Sequence, residues 1–405
     1  MKKHWKAFKN SWKILVLFIL IFSTFSYAMF QGGFVSWFLF YSFLPFAIYA
    51  VAVLIYPLKG FEVTRNLVKT EYNAGEPLKA FITIRRRSSF PLFYLLVEDQ
   101  IGQELLYSHH EKKAKSLLFP LLKKEVTTEF VIQELPRGEH VLRGFQLRIG
   151  DLLGLIEKEY WVENEDKIIV YPAYSEILYR PFENHFDQGM TASRERVQRD
   201  TSMAIGVREY QPGDRFSWIN WKATARQNDI MTKEFEQRQS HDVFVVMDCF
   251  PHSNFEGAVS FSASLLRAII KKGAEAGFLT HSNERVSFPI RGGDKQLQNF
   301  FYHLAKISPK STTPLDRIIE SETFFIQQAV SYMLVTSSIS EPLIEKASIL
   351  GQRKGSVTIF LIKGEKESPT KEELSLKAVS TARGVKLVLV HEGNFAQAFS
   401  EVRMR

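Results

Sequence analysis

The chain of 405 residues has a single cysteine, Cys249, so no disulfide can form within it, and a disulfide-built secreted scaffold is excluded. It contains no Cys pair, no His-x-x-x-His and no glycine-rich phosphate loop, so the usual signatures of zinc and nucleotide sites are missing. Gly292-Gly293-Asp294 is only a two-glycine turn. A disordered chain is excluded too, because 45% of the residues are hydrophobic and such a chain can bury a core. One further absence organises the rest: from Ile14 to Leu58 there is no Asp, Glu, Lys, Arg or His.

About 20 apolar residues cross the hydrocarbon core as a helix, so this stretch is long enough for two crossings. Gln31-Gly32-Gly33 is a polar turn of poor helix propensity, predicting one helix over Ile14–Phe30 and another over Phe34–Tyr56. Trp12, Trp37 and Tyr56 lie near the ends, where amphipathic rings favour the headgroups. Lys2, Lys3, Lys6, Lys9 and Lys13 form a basic arm over residues 1–13 without an acid, and Lys59, Arg65 and Lys69 follow the hairpin. Positive residues stay on the cytoplasmic side, so a multi-pass protein of the cell membrane is expected, with both termini cytoplasmic. Ser26-Tyr27-Ala28 would also suit signal cleavage, but the second segment would still anchor the body in the cytoplasm. A lone cysteine fits that reducing compartment. The five lysines account for most of the net charge of +8; the body is close to neutral.

Residues 60–172 alternate with period two, as in Leu78-Lys79-Ala80-Phe81-Ile82-Thr83-Ile84, between turns such as Asn73-Ala74-Gly75-Glu76-Pro77. This predicts half-buried antiparallel strands and an Ig-like β-sandwich. Residues 241–405 read differently. Asp242-Val243-Phe244-Val245-Val246-Met247 is an apolar run of the kind buried on both faces. Further strands over 277–280, 332–336, 356–362 and 385–390 alternate with helical stretches over 257–276, 296–307, 342–352 and 371–381. That order predicts a parallel, doubly wound α/β domain.

The linking segment, 173–240, has no clear periodicity but the densest local signal: Arg208-Glu209-Tyr210-Gln211-Pro212-Gly213-Asp214, then Ile219-Asn220-Trp221-Lys222-Ala223-Thr224-Ala225-Arg226, then Lys233-Glu234-Phe235-Glu236. Pro212-Gly213 suits a tight turn, and Asp214 is placed to cap a short helix from Arg215. Lys222 and Arg226, four apart, would share a helix face. Ile230–Glu236 alternates like a strand, with Thr232, Glu234 and Glu236 on one side. From Arg194 to Arg238, nine Lys or Arg face seven Asp or Glu, a mixed surface without the basic footprint of nucleic-acid binding. Cys249, between His241 and His252, reads as a small buried side chain rather than a nucleophile.

These three stretches, in this order and spacing, resemble the bacterial family known as domain of unknown function 58. Pro136-Arg137-Gly138, Gly150-Asp151-Leu152-Leu153-Gly154-Leu155 and Val170-Tyr171-Pro172 are similar to further family features. The sequence departs from the pattern at Arg215, where a second acid is usual, at Ser217 for Arg and at Asn220 for Asp. The resemblance implies a von Willebrand factor type A-like last domain, which commonly holds Mg²⁺ on an Asp-x-Ser-x-Ser loop. Asp248 matches the aspartate; the serine positions are Phe250 and His252, with Ser253 displaced by one. Thr312 or Thr313 could supply the later oxygen, while Thr336-Ser337-Ser338 replaces the final acid. The metal site is thus degenerate, and no cofactor is expected. The resemblance also implies MoxR-type AAA+ ATPases and transglutaminase-like membrane proteins as neighbours. It points to a non-enzymatic membrane adaptor or assembly factor whose motif holds itself together or meets a partner through Arg208, Glu209, Tyr210, Pro212, Gly213, Asp214, Trp221, Lys222, Arg226, Lys233, Glu234 and Glu236. The alternative is a hydrolase of cell-envelope precursors or nucleic acid, working through Asp214, Glu234 and Glu236.

Overall fold

The computed structural model describes residues 2–101, 115–179, 197–211, 214, 216–227, 229–239, 242–322, 331–354 and 356–399. The chain divides into two compact units, Met1–Ala173 and Tyr174–Arg405.

The first unit opens with helices α1 (Lys2–Gln31) and α2 (Phe34–Ile55), both long and apolar enough to cross a membrane. Gly32 and Gly33 join them at φ of 52° and 127°, which glycine adopts without a Cβ penalty. Small Ala28, Ser36 and Ala47 are buried, letting the backbones approach. The basic arm expected ahead of the first helix is instead part of it. Nothing from Lys2 to Gln31 is glycine or proline, so no residue stops the helix before the turn.

Eight strands follow: β1 (Phe61–Leu67), β2 (Glu71–Asn73), β3 (Leu78–Arg86), β4 (Leu95–Ile101), β5 (Lys115–Leu118), β6 (Glu125–Ile132), β7 (Gly138–Gly150) and β8 (Glu157–Tyr171). They form a three-stranded sheet, β1-β3-β6, and a five-stranded sheet, β2-β8-β7-β4-β5. All pairs are antiparallel except β2 with β8. Period-two spacing turns Leu78, Ala80, Ile82 and Ile84 of one sheet, and Phe145, Leu147 and Ile149 of the other, into one core. Leu17 of α1, Ala50 and Val53 of α2, and Tyr56 just after it join the same core. Arg65 lies wholly buried in β1 and reaches across to Asp99 of β4 and Asp166 of β8, at 2.7 Å each.

The second unit begins with an antiparallel hairpin of β9 (Val197–Glu209) and β10 (Met231–Gln239), whose connection carries α3 (Trp221–Gln227). A six-stranded sheet then alternates with helices. Its strands are β11 (Val243–Met247), β12 (Ala276–His281), β13 (Arg285–Arg291), β14 (Ser331–Thr336), β15 (Ser356–Lys363) and β16 (Lys386–His391). The helices are α4 (Phe255–Lys271), α5 (Asp294–Lys306), α6 (Leu315–Glu322), α7 (Glu341–Lys354) and α8 (Lys371–Ala382). The order is β13-β12-β11-β14-β15-β16. Phe244 and Val246 face α6 and α7, while Phe278 and Phe360 meet Phe300 of α5 and Phe261 of α4 on the other side. Every residue of β11 is buried, which explains its unbroken apolar run. The sheet is not wholly parallel: β13 turns back on β12. Only every second residue of this edge strand is even half-buried, so it lacks the apolar run that marks its neighbours.

Candidate functional site

The motif folds as the connection of the β9–β10 hairpin, where Met231 lies opposite Glu209. Tyr210 N donates to Ile230 O at 2.8 Å, and Asn220 N donates to Met231 O at 2.8 Å. Thr224 Oγ1 accepts from Met231 N at 3.0 Å and donates to Asn220 O at 3.0 Å, pinning α3 against β10.

Asp214 precedes a 3₁₀ turn and not an α-helix. Its carboxylate turns back to accept from Arg208 at 2.7 Å and from Gln211 N at 3.0 Å. A short 3₁₀ turn, Phe216–Trp218, follows, and the cap belongs to Asn220, whose Oδ1 accepts from Ala223 N at 3.3 Å ahead of α3. The position where aspartate was expected thus does capping work that Asn does equally well. The signal was legible, since Asn220 directly precedes the helical stretch.

The remaining motif side chains divide cleanly. Tyr210 is half-buried and stacks on Phe216 with ring centres 6.3 Å apart. Glu209, Lys222, Arg226 and Lys233 are exposed. Trp221 and Phe216 stand 69% and 79% exposed. Pro212 and Gly213 lie outside the described residues, as do the side chains of Glu234 and Glu236. The backbone of β10 is irregular between Glu234 and Gln237, and Met231 and Thr232 are buried side by side. The strand expected over Ile230–Glu236 is present, its pairing interrupted by register shifts on either side of Phe235.

The second expected site lies where β11 ends between β12 and β14, the point at which the strand order runs off in both directions and where α/β sheets bind ligands. Asp248 sits there, 6% exposed. Its Oδ1 accepts from Phe250 N at 2.9 Å, and its Oδ2 accepts from Thr336 Oγ1 at 2.8 Å. His252 Nε2 lies 3.2 Å from Ser338 Oγ. The loop bearing Thr312 and Thr313 is tied in by Ser311 N, which donates to Cys249 O at 3.1 Å. Mg²⁺ wants several hard oxygens around an open position. Here both carboxylate oxygens hold protein donors, and Phe250 and His252 offer no oxygen, so this donor set does not fit the ion. Among the described residues no cluster of three or more His, Cys, Asp or Glu is shaped for a metal.

A third cluster at the same sheet end had no sequence signal. Lys363, nearly buried at the end of β15, meets Glu373 at 2.6 Å and Glu367 at 2.9 Å. Glu367 also accepts from Gly364 N at 3.0 Å and Asn254 Nδ2 at 2.7 Å. The Gly364 amide first, then Lys363 and Asn254, hold its carboxyl down at about 2. Burial lowers the Lys363 ammonium, but its two carboxylate partners raise it further than burial depresses it.

Two apolar N-terminal helices, a two-sheet β-domain and an α/β domain with a sealed aspartate at its switch point define the class. The profile of the family described as Protein of unknown function DUF58 matches residues 206–402. The Uncharacterized protein YeaD of Bacillus subtilis (strain 168) is 40% identical over 366 residues, 90% of this chain and 91% of that protein. The chain belongs to the DUF58 family. Among solved structures, the VWA domain of SpRpn10 aligns over 40% of this chain and 94% of its own length, at 10% identity and a TM-score of 0.30.

Proposed function

We propose that this chain is a non-enzymatic membrane adaptor. Its helices span the cell membrane with both termini in the cytoplasm, an Ig-like β-domain acts as the spacer, and a von Willebrand factor type A-like domain with the motif hairpin presents a docking face. The carrying observation is the motif surface. Phe216 and Trp221 are largely exposed beside the cations Lys222 and Arg226, and large aromatics with Arg are the residues that anchor protein interfaces. Asp214, the acid a hydrolase would need, is engaged by Arg208 and Gln211, which favours a structural carboxylate over acid–base work. The partner we assign to this face is a MoxR-type AAA+ ATPase or its client, with a transglutaminase-like membrane protein as a second neighbour. No metal takes part.

A photocrosslinker at Phe216 of the full chain in its native membrane should capture that ATPase, and Lys222→Glu with Arg226→Glu should abolish the adduct. Absence of an ATPase adduct, or an adduct indifferent to charge reversal, overturns the reading. A reporter that works only outside the cytoplasm, fused after Arg405, should stay silent; activity there would refute the topology.

A further inference from the structure

Two loops of the β-domain stand around the base of the helical hairpin, and each is braced from within. The buried Arg86 gives its guanidinium to backbone carbonyls, Lys123 O at 2.7 Å together with Phe90 O and Leu121 O. It thereby fixes the 90–93 segment against the 119–123 turn. Leu121 is held at φ 49°, a conformation rarely imposed on a bulky residue. The second loop is the Gly150–Leu155 motif. Buried Asp151 accepts from Leu153 N at 3.1 Å and Ile156 N at 2.6 Å, and Gly154 turns at φ 68°. What this bracing presents is apolar: Phe93, Phe119, Leu121, Leu122, Leu152 and Leu153 are 37–65% exposed. Lys123 and Lys124 are exposed beside them.

One loop touches α2 well above its end, and the other meets α1 at Lys13, the last basic residue before the uncharged stretch. Tyr49 packs on Phe90 and Phe93 at ring distances of 5.9 and 4.8 Å, and its hydroxyl accepts from Phe93 N. Lys13 donates to Gly154 O at 3.1 Å. Above that contact, α2 has only Phe34 to Ile48 left, about 22 Å at the usual rise per residue. The hydrocarbon core is about 30 Å thick. A hairpin that crosses it draws the 90–93 segment packed at Tyr49, and the 119–123 turn braced to it through Arg86, below the surface.

We infer that these two loops form a collar embedded in the leaflet from which the helix ends emerge, with Phe93, Phe119, Leu121, Leu122, Leu152 and Leu153 among the acyl chains and Lys123 and Lys124 at the phosphates. The occupant of this apolar surface is lipid. The inference rests on the membrane-spanning reading of the hairpin.

The test distinguishes the two. Single cysteines, Leu122→Cys, Leu153→Cys, Phe22→Cys on the hairpin and Lys79→Cys near the far end of β3, are labelled with the fluorophore NBD in the full chain. Cys249 is fully buried and stays in place. The proteins are reconstituted in phosphatidylethanolamine–phosphatidylglycerol vesicles with brominated acyl chains. At positions 122 and 153 quenching should approach that at 22 and exceed that at 79 by about threefold, as a hydrocarbon location demands. Strong quenching at 22 with none at 122 and 153 overturns the collar and leaves the hairpin in the membrane. No quenching at 22 removes the spanning reading, and the collar with it.

Discussion

The hydroxyl of Thr336 donates to Oδ2 of Asp248 across 2.8 Å, from the end of one central strand to the end of its neighbour. This bond seals the sheet's switch point with protein donors. It ties the end of β14 to the end of β11. Thr336→Val keeps the shape and leaves a buried carboxylate oxygen short of a donor, a loss of about 1–3 kcal/mol. Thermal unfolding of the detergent-solubilised chain should show the lower midpoint. Millimolar Mg²⁺ should move neither protein; a Mg²⁺-dependent rise abolished by Asp248→Ala would show that a cation does bind.

Asn220 supplies a second test, because its role is capping and not acid chemistry. Asn220→Asp should change stability by less than about 0.5 kcal/mol, whereas Asn220→Ala should lose about 1 kcal/mol. Amide exchange through 221–227 is the sensitive measurement. It should quicken in Asn220→Ala and stay unchanged in Asn220→Asp. A gain of activity or partner binding in Asn220→Asp would mean that the acid does more than cap.

Glu367 contributes to the acid limb of stability of the α/β domain. Its folded carboxyl sits at about 2 against an ordinary 4.5, so the folded state favours the carboxylate. Its contribution is complete above about 4.5 and is lost as the pH falls toward 2. The side chain is 43% exposed, and solvent screening keeps the gain near or below about 1 kcal/mol. Glu367→Gln should flatten the fall in unfolding midpoint between those pH values and leave the midpoint above pH 6 only slightly lower.

Unbroken apolar runs made the α/β core readable in the sequence. Val243–Met247, Tyr332–Thr336 and Ser356–Ile362 are strands buried on both faces, and nothing but a covered sheet accommodates such runs. The uncharged stretch from Ile14 marked the hairpin for the same reason. Arg285–Arg291 carries no such run, because an edge strand leaves every second side chain to water. The motif was visible as a pattern, but its geometry was not. Asp214 and Asn220 are both good caps by residue type, and only the fold shows that one meets Arg208 while the other begins the helix. Lys363 with Glu367 and Glu373 could not be foreseen, since the strand end, the following turn and α8 come together only in the fold.

The strongest dependence should lie at Arg65. Its side chain is fully buried, bonded to Asp99 through Nη2 at 2.7 Å and Nε at 3.3 Å, to Asp166 at 2.7 Å, and set over the Phe145 ring at 4.5 Å. Burial raises the Asp99 carboxyl to about 6 even with Arg65 beside it. Arg65→Met preserves most of the volume but strands that carboxyl in the core, a loss of about 3–5 kcal/mol. Because a raised folded value means the folded state prefers the protonated acid, the charged form costs stability above about 6 and is relieved as the pH falls toward 4. Without Arg65 the value rises further, so the deficit of Arg65→Met should be larger at pH 7.5 than at pH 5. The double variant Arg65→Met with Asp99→Leu should recover much of it, because replacing both members of a buried pair avoids the unpaired charge. Unfolding midpoints of the three proteins at both pH values decide the matter: a deficit independent of pH, or no recovery in the double variant, would mean that Arg65 acts through packing on Phe145 and not through its charge.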